Sequence, residues 1–541
     1  MKLICLWLVA GALMAADTKK ESTGGGLCTP PVDKASPSLP AILMPEMGNV
    51  HWAITTSNPE AQKFFDQGVS QMHSFWAREA ERSFLQAAQL DPEAPMPWFG
   101  VAMVSAGDYR PQFQSEAGVQ LFGQGINTNP RATAAVEHAL KLAEVPGKAT
   151  AFEKLYIKAI AARRNLKSKS SYEDYVAGLR EVLKVNPQEV EERLFLALQL
   201  MRGYVQPDKT PRVGTMESVA IIRQLLKEHP DHPGVPHYMI HGWEGSTFAA
   251  EAEKPADHYA TLAAGIPHAL HMPGHIFSQT GKWNEAAKYF ELCLAKETGM
   301  MKADALYGTG HHAHNAHYLS MSYSFGGEFD RALQAATDLY KDWKNTPRED
   351  TQIDAARSPA QQAQFAILRA LVQHEKWDLL LDGQTVPAIS KARPRAWHAW
   401  GMALAYAAKG DVAMARKQEE LLDLAAEEVR KTTFDRDAPE LAVARMEVRG
   451  HMQIAEGRVD DGLRTLTQAS ERESRLVYSE PSWFPRPVAE GMGWAAWRHG
   501  KMPDAKRAFA MALKQYPSDA RALEGMRAID QAKSASSAAG Q

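Results

Sequence analysis

Histidines are concentrated in one stretch of this 541-residue chain. Ten of the 19 histidines lie between residues 237 and 317, whereas even spacing along the chain would place roughly three there. Imidazole is the side chain that most often binds zinc, copper, nickel and iron ions in proteins. The enrichment therefore points first to transition-metal chemistry, and the spacing of the histidines decides whether several of them can share one ion.

Histidines three or four residues apart occur in three short segments, PHYMIHGWE, PHALHMPGHIF and HHAHNAH. Residues at this spacing share one face of an α-helix. The candidate metal ligands on these faces are His237, His241, His268, His271, His275, His314 and His317. Glu244 follows His241 on the first face and is the candidate general base if the site is catalytic.

An internal repeat of 34 residues predicts the helices that position these faces. Residues 61–94 and 486–519 carry Gly, Ala, Phe, Ala and Pro at the same five offsets, and residues 267–300 repeat the Gly, the first Ala and the Phe. Small residues let the two helices of a unit approach closely, the phenylalanine fills the gap to the next pair, and proline ends the second helix. The pattern predicts stacked helical hairpins.

This pattern resembles the tetratricopeptide repeat over roughly residues 59–530, with breaks at 106–130, 204–215 and 343–358. The resemblance implies an all-α fold, a right-handed α-solenoid of helical hairpins with a concave groove for a peptide or protein partner. The histidine segments, taken together with Glu-Pro-x-Trp at 480–483, are also similar to a group of exported bacterial tetratricopeptide proteins. That similarity implies export and no particular reaction.

Within the repeat frame, the candidate ligands from His268 onward fall at first-helix offsets that line the groove in the tetratricopeptide family. The insertion at 250–265 leaves the frame of His237, His241 and Glu244 open, and only their spacing matches such offsets. Three successive hairpins would then present about seven imidazoles and one carboxylate to a single hollow. Side chains of two neighbouring hairpins can meet at one ion because adjacent helices lie roughly 10 Å apart. The resemblance therefore implies one shared site.

Three functions are compatible with such a site, and the sequence favours them in this order. In the first, the groove binds a peptide or protein partner, and a transition-metal ion (Cu, Zn or Fe) is structural or carried. In the second, the protein is a metal-dependent hydrolase or oxidoreductase, in which the ion activates water or O₂. In the third, the histidines form a structural hydrogen-bonded network without an ion.

Four other histidines receive lesser roles from the sequence. His73 lies far along the repeat array from the cluster, His258 is predicted to face elsewhere, and His311 and His312 are predicted to be loop residues. The segment YSEPSWFPRP at 478–487 is predicted to connect two repeats and pack its aromatic residues into the core. The alternative is a lid whose polar residues contact a ligand in the groove.

The start of the chain has the layout of a secretory signal peptide. One lysine, an apolar run and small residues precede a cleavage site near Ala16, which predicts a periplasmic or secreted location. The predicted parts of the chain are a signal peptide at 1–16, a flexible N-terminal tether at 17–58, N-terminal repeats at 59–204, central histidine-rich repeats at 205–342, C-terminal repeats with a capping helix at 343–533, and a disordered tail at 534–541.

Composition excludes several classes of protein. Lysine and arginine number 61 and aspartate and glutamate 64, so the net charge of −3 gives no general attraction to nucleic acid. Three cysteines cannot form a disulfide-stapled scaffold or a four-cysteine zinc site. After the leader, no uncharged apolar run reaches the length of a membrane span. We therefore expect neither a nucleic-acid partner nor a transmembrane segment.

Overall fold

The computed structural model describes residues 41–110, 130–165, 167–303, 310–345, 358–432 and 438–539. These residues form consecutive α-helices, and each helix packs most closely against its neighbours in sequence. The prediction of an all-α helical-repeat solenoid is confirmed. The predicted signal peptide and most of the predicted tether lie outside the described residues.

The helices fall into three sets. The N-terminal helices are α1 (Pro59–His73), α2 (Ala77–Leu90), α3 (Met96–Ala106), α4 (Pro130–Ala143), α5 (Ala151–Arg163), α6 (Ser171–Val185) and α7 (Val190–Leu200). The central helices are α8 (Thr215–Glu228), α9 (Gly234–Trp243), α10 (Glu253–Leu262), α11 (Pro267–Gln279), α12 (Trp283–Ala303), α13 (Gly310–Phe325) and α14 (Phe329–Asn345). The C-terminal helices are α15 (Pro359–Gln373), α16 (Trp377–Leu381), α17 (Ala392–Ala408), α18 (Val412–Thr432), α19 (Pro439–Ala455), α20 (Val459–Glu473), α21 (Val488–Arg498), α22 (Met502–Gln515) and α23 (Ala520–Ala539).

A short antiparallel hairpin separates the first two sets. Its strands β1 (Tyr204–Val205) and β2 (Thr210–Pro211) lie where the sequence repeat breaks. In the part of the chain that the structure covers, no helix combines the length and the apolar character that crossing a bilayer requires.

The repeat residues meet inside the hairpins as their spacing predicts. A Cβ atom added to Gly274 would lie 2.5 Å from the Phe290 ring, and one added to Gly493 would lie 2.5 Å from the Phe509 ring. Only glycine therefore lets these helices approach as closely as they do. The pairing explains why the Gly and Phe offsets recur together in the sequence.

The substitution Phe509→Ala is expected to lower the free energy of unfolding by about 3–5 kcal/mol, because it removes a ring that is fully buried between two helices. Chemical denaturation followed by circular dichroism measures this change. Leu523→Ala, at a side chain that is 40% exposed, is the control and is expected to change the same quantity by about 0.5 kcal/mol or less. Equal losses in the two variants would contradict the assigned packing.

Both ends of the array pack back onto its centre. At the end of α1, the His73 Nδ1 atom lies 2.7 Å from the hydroxyl of Tyr238 in α9. From the other side, the Trp283 indole donates a hydrogen bond of 3.0 Å to the backbone carbonyl of Pro517. The central helices α9, α11 and α13, which carry the candidate ligands, are therefore covered by both terminal sets of repeats.

The ends of the described chain differ from the predicted boundaries. Residues 41–58 were predicted to belong to the flexible tether, yet they lie along α1, with Trp52 buried against Phe65 at a ring distance of 5.6 Å. Apolar side chains in this segment supply the burial that fixes it. At the other end, α23 continues to Ala539, beyond the predicted start of the tail at residue 534.

Candidate metal centre

Seven imidazoles meet where α9, α11 and α13 pack side by side. We call this set the imidazole cluster, and its members are His237, His241, His268, His271, His275, His311 and His314. Each of the seven residues is at most 8% exposed. Six of them are ligands predicted from the sequence, and the structure brings them together in one buried place.

His268, His271 and His275 share one face of α11, and their rings contact histidines of both α9 and α13. The ring centroids of His271 and His275 are 4.3 Å apart, and that of His271 is 5.1 Å from His314 in α13. At the start of α11, the His268 ring lies 5.0 Å from the His237 ring in α9. The row on α11 is therefore the middle layer of the cluster.

Two rings of the cluster are fixed by oxygen acceptors outside it. The Nδ1 atom of His237 donates a hydrogen bond to the backbone carbonyl of His73, and that of His311 donates to the Glu297 carboxylate. Carbonyl and ionised carboxylate oxygens only accept hydrogen bonds, so both Nδ1 atoms carry the proton. The Nε2 atom of each of these rings is consequently the one with a lone pair.

Glu244 lies beside the Nδ1 atoms of two more rings. Its two oxygens lie 3.1 Å from the Nδ1 atom of His241 and 3.0 Å from that of His275. The Nδ1 atom of His275 is also 3.2 Å from Glu480 Oε1. Both rings turn Nδ1 to carboxylates, which leaves Nε2 as the remaining nitrogen of each ring.

The two rings in the middle layer have different surroundings. The Nε2 atom of His268 lies 3.1 Å from His237 Nε2, and its Nδ1 atom lies 3.2 Å from His311 Nε2. His271 is fully buried, and neither of its ring nitrogens has a hydrogen-bond partner among the described residues. A buried polar atom in that condition costs about 1–3 kcal/mol, so it points to a group that the polypeptide does not supply.

Several rings of the cluster are neutral. Burial lowers the pKa of His237, His268 and His271 well below the usual value, and the neighbouring imidazoles lower it further. A neutral imidazole keeps one lone pair, which is the form that binds a metal ion. The interior of the cluster is therefore in the protonation state that metal binding needs.

The carboxylates give the site its charge. Burial raises the pKa of Glu244, but the contacts with His241 and His275 outweigh burial, and the net shift is downward. Burial lowers the pKa of His275, but Glu480 and Glu244 outweigh it and raise the pKa to about 10. An ion that binds the Nε2 atom of His275 must therefore displace a proton from this ring.

His317 is buried one turn beyond His314, but its contacts are with α15. Its Nδ1 atom lies 2.6 Å from Gln362 Oε1, and its ring packs edge-on against Phe365. Burial, together with the charge of Arg369, lowers the pKa of His317 to about 3. Its contacts thus place it beside the cluster, facing the next hairpin.

Two of the lesser roles assigned from the sequence were wrong. His311 and His312 are helical rather than loop residues, and His311 is a member of the cluster, because α13 begins at Gly310. His73 is not remote, since its carbonyl accepts the hydrogen bond from His237. His258 does face elsewhere, and it pairs with Asp231 at the surface.

His73 also belongs to a second group with metal-ligand spacing, together with Glu191 and His232. Here the hydrogen bonds are complete within the protein. His73 contacts Glu191 and Tyr238, while His232 contacts the other oxygen of Glu191 at 3.1 Å and accepts from the backbone N–H of Gly234. This group therefore acts as a support for the carbonyl that orients His237.

Phe75, which sequence patterns did not single out, covers one end of the cluster. It lies in the turn between α1 and α2 with φ of 52°, a strained conformation for a bulky residue. Its ring centroid is 4.4 Å from that of His237 and 5.1 Å from that of His241. The strained turn thus holds an apolar cap over these two imidazoles.

The segment 478–487 covers the opposite end of the cluster. Phe484 is buried against Trp400, as a packing connector requires. Glu480 meanwhile contacts His275, and the Tyr478 hydroxyl donates a hydrogen bond of 2.9 Å to Glu480. The connector therefore also contributes a carboxylate to the site.

Comparisons with known proteins bear on the fold at most. No family model and no curated protein matches the chain. Among solved structures, a human IFIT1 dimer with PPP-AAAA is 13% identical, with a TM-score of 0.31 and coverage of 87% of this chain and 90% of that one. Yeast Tom70 is 10% identical, with a TM-score of 0.28 and coverage of 88% and 89%. At such TM-scores these similarities carry no argument about the site. Fold and site together define an all-α helical-repeat solenoid with a buried multi-histidine cluster.

Proposed function

We propose that this protein is a metalloprotein that holds transition-metal ions in the imidazole cluster. The observation that carries the proposal is the orientation of four rings, in His237, His241, His275 and His311, whose Nδ1 atoms all face oxygens outside the cluster. Histidines that bind metals almost always donate the other ring N–H to a carboxylate or a carbonyl, which fixes the tautomer. The four Nε2 atoms are thereby the nitrogens left for an ion, and that of His275 must first release its proton.

Two ions fit the arrangement better than one. The cluster contains two triads that share no residue, and each triad has one nitrogen per ring within 4.8 Å of the others. The triads are His237, His241 and His268, and His271, His275 and His314. Glu244 contacts one ring of each triad, so a single carboxylate would orient ligands of both ions.

Copper is the ion that we expect to bind most tightly. A site made of imidazoles suits copper, zinc and iron, and Cu²⁺ binds such donors more strongly than the other divalent ions of the first transition row. Iron in comparable sites usually takes a carboxylate as a direct ligand. Zinc is therefore the second choice, and magnesium and calcium are disfavoured because they prefer oxygen donors.

A purely structural histidine network is the competing interpretation. Hydrogen bonds between neutral imidazoles would account for only one of the two short contacts of His268, because a neutral ring donates once and the Nε2 atoms of both partners carry lone pairs. They do not account for His271, whose two nitrogens have no partner in the described protein. In a network that serves only stability, the unpartnered nitrogens of this buried ring would lower the stability of the fold with no compensating interaction. Metal binding therefore explains more of the site.

The buried position of the cluster also bears on the other expectations. A peptide in an open groove would not reach rings that are at most 8% exposed, so we propose that any protein partner binds elsewhere on the solenoid. Metal-dependent catalysis on a small molecule fits this enclosure better. In that case Glu244 orients ligands rather than serving as the general base, because both its oxygens already face histidines. Export through residues 1–16 remains part of the proposal.

Elemental analysis tests the proposal directly. The mature chain, purified without a histidine tag and reconstituted with Cu²⁺ or Zn²⁺, is expected to retain two ions per chain after gel filtration. His258→Ala, which removes a surface imidazole, is the matched control and is expected to retain both ions. A wild-type protein without stoichiometric metal after reconstitution would refute the proposal and favour the structural network.

A further inference from the structure

A cavity of about 460 Å³ adjoins the imidazole cluster. It lies between the β1–β2 hairpin, α11, the end of α20 and the segment 478–487. His275 is a member of the cluster and also lines this cavity. The volume is within the range of sites that enclose one small organic molecule. The cavity is therefore large enough to hold a small molecule beside the buried imidazole cluster.

Aromatic side chains form much of the cavity wall. They are Trp283, Tyr318 and Tyr516, together with Tyr478, Trp483 and Phe484 of the segment 478–487. Their rings are held by packing within the protein; for example, Trp283 stacks on Phe325 with a centroid distance of 4.7 Å. Rigid aromatic walls favour a flat apolar ligand, because ring stacking adds to the burial of apolar surface.

Two ammonium groups line the same cavity. Lys209 follows β1, and its Nζ atom donates one hydrogen bond of 3.0 Å to the carbonyl of Ser246, which leaves two N–H donors. Lys514 is the second, on α22. Desolvation lowers the pKa of Lys209, and the charge of Lys514 lowers it further.

The acidic residues of the cavity offset this charge only in part. Burial raises the pKa of Glu473 to about 8, so its carboxyl group is largely protonated at neutral pH. Glu471, which also lines the cavity, is an exposed surface carboxylate. Two ammonium groups thus face one carboxylate, and the balance favours an anionic group on the ligand.

We propose that this cavity binds a small aromatic molecule that carries one carboxylate, with the carboxylate at Lys209 and Lys514 and the opposite end toward His275. The aromatic walls select the flat ring, and the lysines select the charge. The inference rests on the proposed function in one respect: the bound molecule would be a substrate only if the neighbouring imidazole cluster holds a metal ion. The cavity and its selectivity do not depend on the identity of the ion.

Isothermal titration calorimetry with a panel of aromatic carboxylates tests the proposal. The probes are benzoate, 3-phenylpropionate, indole-3-acetate and naphthalene-2-carboxylate, and the uncharged comparison is naphthalene-2-methanol. At least one carboxylate is expected to bind, and naphthalene-2-methanol is expected to bind at least tenfold more weakly than the naphthoate. Lys209→Met and Lys514→Met are each expected to weaken carboxylate binding about tenfold, as the loss of a charge-assisted contact does.

Lys506→Met is the matched control, because it removes an exposed lysine from the same helix outside the cavity and is expected to leave the affinity unchanged. No binding by any probe, or equal affinities in the Lys209 and control variants, would overturn the proposal. The titrations are made on metal-free and on copper-loaded protein. Selective binding in a protein that never retains metal would support the cavity and refute the proposed function, so the two failures are distinguishable.

Discussion

His271→Ala is expected to release the ion held by the triad of His271, His275 and His314 while leaving the helical content unchanged. The ring of His271 makes no hydrogen bond with described residues, so its removal costs ring packing but breaks no hydrogen bond that holds α11 in place. Losing one of three protein ligands is expected to weaken binding about 100-fold or more, because structural metal sites draw several kcal/mol from each ligand. Metal content and circular dichroism measure the two effects.

A half-buried imidazole outside the cluster provides the control. His374 donates from Nε2 to the backbone carbonyl of Ser324 and lies outside the cluster, so His374→Ala is expected to keep both ions. Retention of two ions by the His271 variant would place the metal elsewhere. Loss of helical content in that variant would instead identify His271 as a structural residue.

The fold could be predicted because its main contacts are local in sequence. The close approach of Gly274 to Phe290 joins two helices of one hairpin. Because each hairpin makes the same contact, the glycine and the phenylalanine recur at fixed offsets of the sequence repeat. The shared face of His268, His271 and His275 follows in the same way from the geometry of a single helix. A sequence pattern contains both kinds of information.

The closure of the site could not be predicted, because it depends on contacts between distant repeats. Gln279 and the Tyr478 hydroxyl are joined by a hydrogen bond of 3.1 Å, although nearly 200 residues separate them. Phe75 reaches His237 over a similarly long separation. No periodicity relates such residues, since the superhelical path decides which repeats meet.

Two histidines show the limits of spacing as a guide. His311 follows Gly310, and the sequence there predicts a loop, yet α13 already begins at Gly310. His317 is six residues beyond His311, and six steps of about 100° leave the two side chains roughly 120° apart around the helix. His311 accordingly faces α11, and His317 faces α15.

Glu244→Gln is expected to weaken metal binding at both triads together, by about 10–100-fold at each, as the loss of an orienting partner usually does. The carboxylate accepts from His241 with one oxygen and lies 3.0 Å from His275 with the other. An amide has only one accepting oxygen, so one of the two rings must face an N–H₂ group instead. That ring must then either rotate or move its proton from Nδ1 to Nε2. Titration of the metal-loaded protein with a competing chelator measures the affinity of each triad for its ion.

The coupled loss at two ions is the result that separates an orienting carboxylate from a general base. A general base at position 244 would leave both affinities unchanged in the glutamine variant and affect only turnover. Glu253→Gln is the matched control, because it removes a surface carboxylate that pairs with Lys282, and its effect on metal affinity is expected to be negligible. Weakening of one ion alone would mean that Glu244 serves a single triad. Since one side chain contacts ligands of both triads, simultaneous weakening would in turn show that the two ions form one centre.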